Sequence, residues 1–192
     1  MKRLILLTFM LVGCQSNNLS QTQPKQSTMP VKQQMKPAKP QKSPEEIREA
    51  ELNSFGEKIN KLNLAGKGSL KACTIKGYSS SINIYYSNEF GKRLIFRVYD
   101  EHIINSVSMY LDKNQAPKFI DYIQKSTLKA RENKELEELN LGRFSSGKNW
   151  VMLTARRGRV SGFWGTEWVE RVLTPIDSKE ISECSEKVIA YL

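Results

Sequence analysis

The chain has 192 residues, 39% of them hydrophobic, with 30 basic against 20 acidic side chains and a formal net charge of +10. That length holds one ordinary domain with its own core, plus extensions. Lys2, Arg3, Lys25, Lys32, Lys36, Lys39 and Lys42 all precede the first acid, Glu45; setting aside these seven of the 30 bases leaves 23 against 20 acids, a net of +3 over residues 44–192. The folded part is therefore close to neutral, which removes high isoelectric point as an argument for nucleic-acid binding.

Lys2 and Arg3 open a short leader whose apolar run, Leu4 to Val12 with one break at Thr8, ends at Gly13-Cys14. A membrane-crossing helix needs about 20 apolar residues, so this run reads as the core of an export signal and not as a span. Leu11-Val12-Gly13-Cys14 resembles the lipobox of bacterial lipoproteins at every position. That resemblance implies thioether lipidation of Cys14, cleavage between Gly13 and Cys14, and N-acylation of the new terminus. Each buried methylene contributes about 0.8 kcal/mol, so two or three chains hold the protein firmly on a bilayer. In enteric lipoproteins an Asp just after the cysteine marks inner-membrane retention; Gln15 and Ser16 stand here, and by that rule the destination is the outer membrane, facing the periplasm. The competing reading is a plain secretory leader with a chance cysteine.

Residues 15–43 are rich in Gln, Lys, Ser and Pro, contain no aromatic residue and no acid, and have few large apolar groups beyond Leu19, Met29, Val31 and Met35. Such a segment cannot bury enough surface to offset chain entropy, so a disordered tether is expected, with a full reach on the order of 100 Å and an average span nearer 30 Å. Its five lysines either lie against anionic lipid or wall polymer, or simply keep the tether in solution. The expected organisation is a signal peptide over 1–13, a lipidated tether over 14–43 and one globular domain over 44–192.

Ser43-Pro44-Glu45-Glu46 carries a capping box with proline at the first helical position, and a helix to about Leu62 follows with Ile47, Phe55, Ile59 and Leu62 on one face. From Ser69 to Leu111 the apolar period falls to two, predicting four antiparallel strands near 69–77, 81–88, 92–100 and 103–111. Their inward sets are Ile82/Ile84/Tyr86, Leu94/Phe96/Val98 and Val107/Met109/Leu111. A helix follows from Asn114 or Gln115, with Phe119, Ile120, Ile123 and Leu128 as its apolar face, running past Lys134 with a break near Asn133. Three strands near 149–155, 159–164 and 167–173 come next, and Asp177-Ser178-Lys179-Glu180 caps a closing helix with Ile181, Cys184, Val188 and Leu192 inward. The fold class expected is α+β, an antiparallel sheet or sheets with packed helices in the order α-ββββ-α-βββ-α, and the recurrence of strand-run plus helix hints at duplication.

With Cys14 lipidated, Cys73 and Cys184 remain, and an exported chain meets an oxidising compartment. They are either bonded, stapling the domain's two ends, or two separate buried thiols. Catalytic signals are scarce: the single His102 sits in the turn Asp100-Glu101-His102, and there is no nucleophile elbow, phosphate loop or metal-ligand spacing, so neither cofactor nor metal is expected. The most suggestive cluster is Arg156, Arg157 and Arg159 at a glycine turn, with Trp150, Phe163, Trp164 and Trp168 on the strands around it. Basic groups beside flat rings suit an anionic polymer, a glycan or a nucleic acid; equally, such rings fill a core and such arginines pair with Glu167 or Glu170.

Three functions are weighed. The first is a non-catalytic envelope protein binding a protein or anionic polymer partner while the bilayer holds Cys14. The second is a hydrolase of peptidoglycan or another glycan, which needs two carboxylates in a cleft. The third is single-strand nucleic-acid binding, since the element order resembles the whirly-type single-strand binders; export and the near-neutral domain count against it.

Overall fold

Ser43 caps the first helix by accepting a hydrogen bond from the Glu46 amide at 3.2 Å while its own amide donates to the Glu46 carboxylate at 2.7 Å, the reciprocal cap anticipated from the sequence. A computed structural model describes residues 42–168 and 171–192, without the side chains of 103–105; the leader, Cys14, the tether up to Gln41, and Glu170 lie outside the described residues. Helix α1 runs Pro44–Ala65, three residues beyond expectation, and ends at Gly66, whose φ of 110° no side-chain-bearing residue adopts readily. Phe55 and Ile59 are buried, whereas Ile47 stays half exposed in a depression that it lines together with Leu70 and Ala72.

Strands β1 (Ser69–Lys76), β2 (Ser80–Ser87), β3 (Arg93–Asp100) and β4 (Ile103–Leu111) form an antiparallel meander in sequence order. All nine residues of the three predicted inward sets are no more than 1% exposed. Helix α2 (Gln115–Glu132) follows, stopped at Asn133, then a second meander of β5 (Leu139–Ser146), β6 (Asn149–Arg156), β7 (Arg159–Gly165) and β8 (Val172–Pro175), and finally α3 (Ser178–Ile189), capped by the Asp177 carboxylate accepting from two amides. The fold is α+β with two four-stranded antiparallel sheets and three helices, in the order α-ββββ-α-ββββ-α.

The second sheet therefore has four strands where the sequence suggested three. β5 eluded the periodicity because a bulge between Asn140 and Gly142 shifts its phase by one residue and because it is an exposed edge strand. The last strand is Val172–Pro175 and not 167–173; Glu167 and Trp168 form a turn before it. On α2, Leu128 is 58% exposed, and the buried face continues through Thr127 and Ala130, which fall one turn beyond Ile123 and Ser126.

The two later helices cross to the other sheet: α2, which follows the first, packs against β5, β6 and β7, while α3, which follows the second, packs against β1, β2 and β3. The crossing merges the two halves into one core. Phe96 of β3 and Trp164 of β7 stack with centroids 6.1 Å apart, and Phe119 of α2 meets both edge-on, at 4.9 and 5.9 Å. The inward faces of both sheets are thereby filled. Among the described residues no helix packs on the outward face of either, and no helix is long and apolar enough to cross a membrane.

Candidate partner-binding surface

Strand parity decides what the second sheet shows to solvent. Along β6, Val151, Leu153 and Ala155 point inward and are buried, so Trp150, Met152, Thr154 and Arg156 point outward. The pairing places Arg143, Met152, Phe163 and Leu173 in one row across all four strands, with Ser145, Trp150 and Gly165 in the next. Met152, Phe163 and Leu173 thus make an apolar stripe on the open side of the sheet, and Leu173 is 49% exposed.

Trp150 stands at one end of that stripe, half-buried, its indole N–H donating to the Thr166 carbonyl at 3.1 Å. The Arg143 guanidinium lies 4.7 Å and that of Arg171 6.0 Å from its ring, so two cations flank one π face system. Among the described residues no ion pair involves either arginine. Trp168, 82% exposed, rises from the adjoining turn, where Lys148 pairs with Glu167 at 3.1 Å.

The cluster singled out in the sequence is divided by this geometry. Trp164 points inward, is fully buried, and donates its indole N–H to Thr174 at 2.8 Å; it is core and no part of a surface. Gly162 leaves the room it needs, since a Cβ there would stand 3.0 Å from the indole nitrogen. Arg156, Arg157 and Arg159 lie at the far end of the β6–β7 hairpin, about 20 Å from Trp150 along six residues of strand. Arg156 and Arg157 share Glu137, at 3.3 and 4.0 Å, and Arg157-Gly158 form the two-residue turn with φ of 49° and 78°. Arg143, Met152, Arg171 and Leu173, which complete the surface around Trp150, were not selected from the sequence. For Met152 the signal was its even spacing from Trp150; for Arg143 it was hidden with β5.

Cys73 and Cys184 are bonded, with Cα atoms 6.2 Å apart across 111 residues of sequence, tying edge strand β1 to α3. His102 lies exposed in the β3–β4 turn, its amide donating to Asp100 at 2.8 Å. Acids come together in more than one depression: Glu51, Glu180 and Glu183 in one of about 310 Å³ between α1 and α3, where Glu51 pairs with Lys187 at 3.0 Å, and Glu137 and Glu138 in one of about 650 Å³ beside Phe163 and Leu173; all five are exposed. Among the described residues no three His, Cys, Asp or Glu side chains cluster closely enough to hold a metal ion, and no buried side-chain polar atom lacks a partner.

No protein-family model matches the chain, and no curated protein matches it.

Proposed function

We propose that the chain is a non-catalytic, lipid-anchored envelope protein, held by acylated Cys14 on the periplasmic face of the outer membrane, whose tethered domain docks a protein partner on the outward face of the second sheet. The lipobox-like run Leu11–Cys14 and the acid-free tether support the anchoring half of this reading. The docking half rests on one observation: the stripe Met152–Phe163–Leu173, beside which a tryptophan lies between the Arg143 and Arg171 guanidinium groups. Trp, Arg, Phe and Met are the residues that dominate interface energetics, and an apolar centre with charged ends is how such surfaces are laid out.

Four strands about 4.8 Å apart give a face roughly 20 Å on a side, about half the area each partner contributes to a standard interface. It suits an extended segment or one helix of the partner, with apolar residues over the stripe and a carboxylate near Arg143 and Arg171. The hydrolase reading receives no comparable support, since the clefted acids are exposed.

Photo-crosslinking in intact cells tests the proposal. A benzophenone residue at Phe163 or Leu173 should yield one discrete adduct that disappears when Trp150→Ala and Arg143→Ala are added, while the same probe at exposed Tyr78 yields none. Adducts that are absent from the sheet face, or identical from Tyr78, would remove the docking surface.

A further inference from the structure

The outward face of the first sheet has a different chemistry. Its strand positions carry four cations, Lys71, Lys76, Arg93 and Arg97, and no acid, although residues 44–192 as a whole are nearly balanced. Arg93 is engaged by Asp112 at 3.4 Å. Arg97, in the middle of the sheet, is in none of the ion pairs among the described residues. Its Nε donates to Ser108 at 3.3 Å, its guanidinium lies 5.5 Å from the Tyr85 ring, and contact with the Tyr99 hydroxyl holds it still more firmly protonated.

Tyr85 and Tyr110 pair with Ile95 from the strands on either side and cover it, so that this outward-pointing isoleucine is only 4% exposed. Burial raises the Tyr85 hydroxyl above its ordinary value, with Tyr99 adding to the shift and Arg97 opposing it. The result is a fixed platform of aromatic faces around a single central cation, bordered by Asn83, Ser106 and Ser108 as short hydrogen-bonding groups. Among the described residues no helix covers it: α3 packs against β1, β2 and β3, and the bond from Cys184 reaches inward-pointing Cys73.

We propose that this face binds a linear anionic polysaccharide bearing a carboxylate on every second ring. Sugar rings present weakly positive C–H groups that fit against the negative faces of tyrosines, their hydroxyls match the Asn and Ser side chains, and the carboxylate meets Arg97 as a charge-assisted pair. Charge spacing separates this occupant from nucleic acid. Among the described residues, the cations of this face that are in no ion pair, besides Arg97, sit on β1, two strands or about 10 Å away, too sparse to match a nucleic-acid strand, in which every nucleotide carries a charge. A sparsely charged polymer is matched by sparse cations. The site lies on the opposite sheet from the protein-docking surface, and the two stand or fall separately.

Binding of the detergent-solubilised mature protein to hyaluronate, which has one carboxylate per disaccharide, is compared with neutral dextran and with a single-stranded oligothymidylate. Hyaluronate should be preferred to both. Arg97→Gln should weaken it about tenfold or more, Tyr110→Ala severalfold, and Tyr85→Phe hardly at all because the ring remains; Trp150→Ala should have no effect. Tyr110, 41% exposed, decides the matter should Arg97→Gln disturb folding. Unchanged binding in both Arg97→Gln and Tyr110→Ala, equal binding of dextran, no binding of hyaluronate, or tighter binding of the oligothymidylate with loss in Arg97→Gln would each overturn the assignment, the last in favour of a nucleic-acid site.

Discussion

The two sheets have the same strand number, order and antiparallel pairing, yet they differ on their outward rows and in how each is fastened to its helix. Outward, the first sheet sets Tyr85, Ile95 and Tyr110 beside Asn83, Arg97 and Ser108; the second sets Arg143, Met152, Phe163 and Leu173 beside Trp150. Inward, both are filled by aliphatic and aromatic side chains that meet in the Phe96–Phe119–Trp164 cluster. Packing constrains the inner rows and leaves the outer ones open, so the outer rows are free to differ: a tyrosine-and-cation platform on one sheet and an apolar stripe on the other. The fastening differs too: β1 is joined to α3 by the Cys73–Cys184 bond, whereas β5 and β6 are held to α2 by Tyr122, whose hydroxyl donates to the Gly142 carbonyl at 2.7 Å and accepts from the Leu153 amide at 3.3 Å.

Breaking the inward half of this comparison should have the largest effect. Trp164→Ala removes a ring that touches both sheets and orphans the Thr174 hydroxyl, and should cost about 3–5 kcal/mol in denaturant unfolding. Trp150→Ala, the outward tryptophan only 14 residues earlier, should cost about 1 kcal/mol or less while abolishing crosslinking from Phe163. Similar losses at the two positions would mean that the inward and outward assignments are mistaken.

The fastenings come next. Cys73→Ala with Cys184→Ala frees a loop of 111 residues, and should lower stability by about 4 kcal/mol on the chain-entropy account, seen as a fall of roughly 10 °C in thermal midpoint. Tyr122→Phe, which removes only hydrogen bonds, should cost about 1 kcal/mol. It should also alter the alkaline limb of stability. Burial pushes the Tyr122 hydroxyl from 10.0 up to about 12, with the Leu153 amide opposing. A group that holds its proton more tightly when folded contributes its full stability below pH 10 and loses it as the pH rises from 10 towards 12, so Tyr122→Phe should unfold less steeply across that interval. An unchanged alkaline profile would mean that Tyr122 is not the group responsible. The smallest effect is expected at the hairpin tip, where Gly158→Ala forces a Cβ onto a φ of 78° and should cost about 1 kcal/mol without touching binding to either sheet face.

These contrasts also explain what could be read from the sequence. The Ser43–Glu46 cap and the alternation through Ile82, Leu94 and Val107 are local signals, and the structure contains them as expected. β5 was not legible because its bulge at Gly142 interrupts the alternation, and with it Arg143 was lost from the site. Grouping Trp164 with Trp150 treated neighbouring aromatics as one patch, although Phe163 and Trp164, as consecutive strand residues, must face opposite ways. The crossing of the two later helices to the other sheet depends on contacts far apart in sequence, and no local pattern announces it.

The proposals for both faces place the domain in an envelope, and the proposed acylation of Cys14 is what would keep it there. Mass spectrometry of the mature protein extracted from membranes should find Cys14 as the first residue, carrying a diacylglyceryl thioether and a further N-acyl chain. An unacylated mature terminus, or a chain that retains Met1 to Gly13, would contradict the anchor and detach both faces from the setting proposed for them.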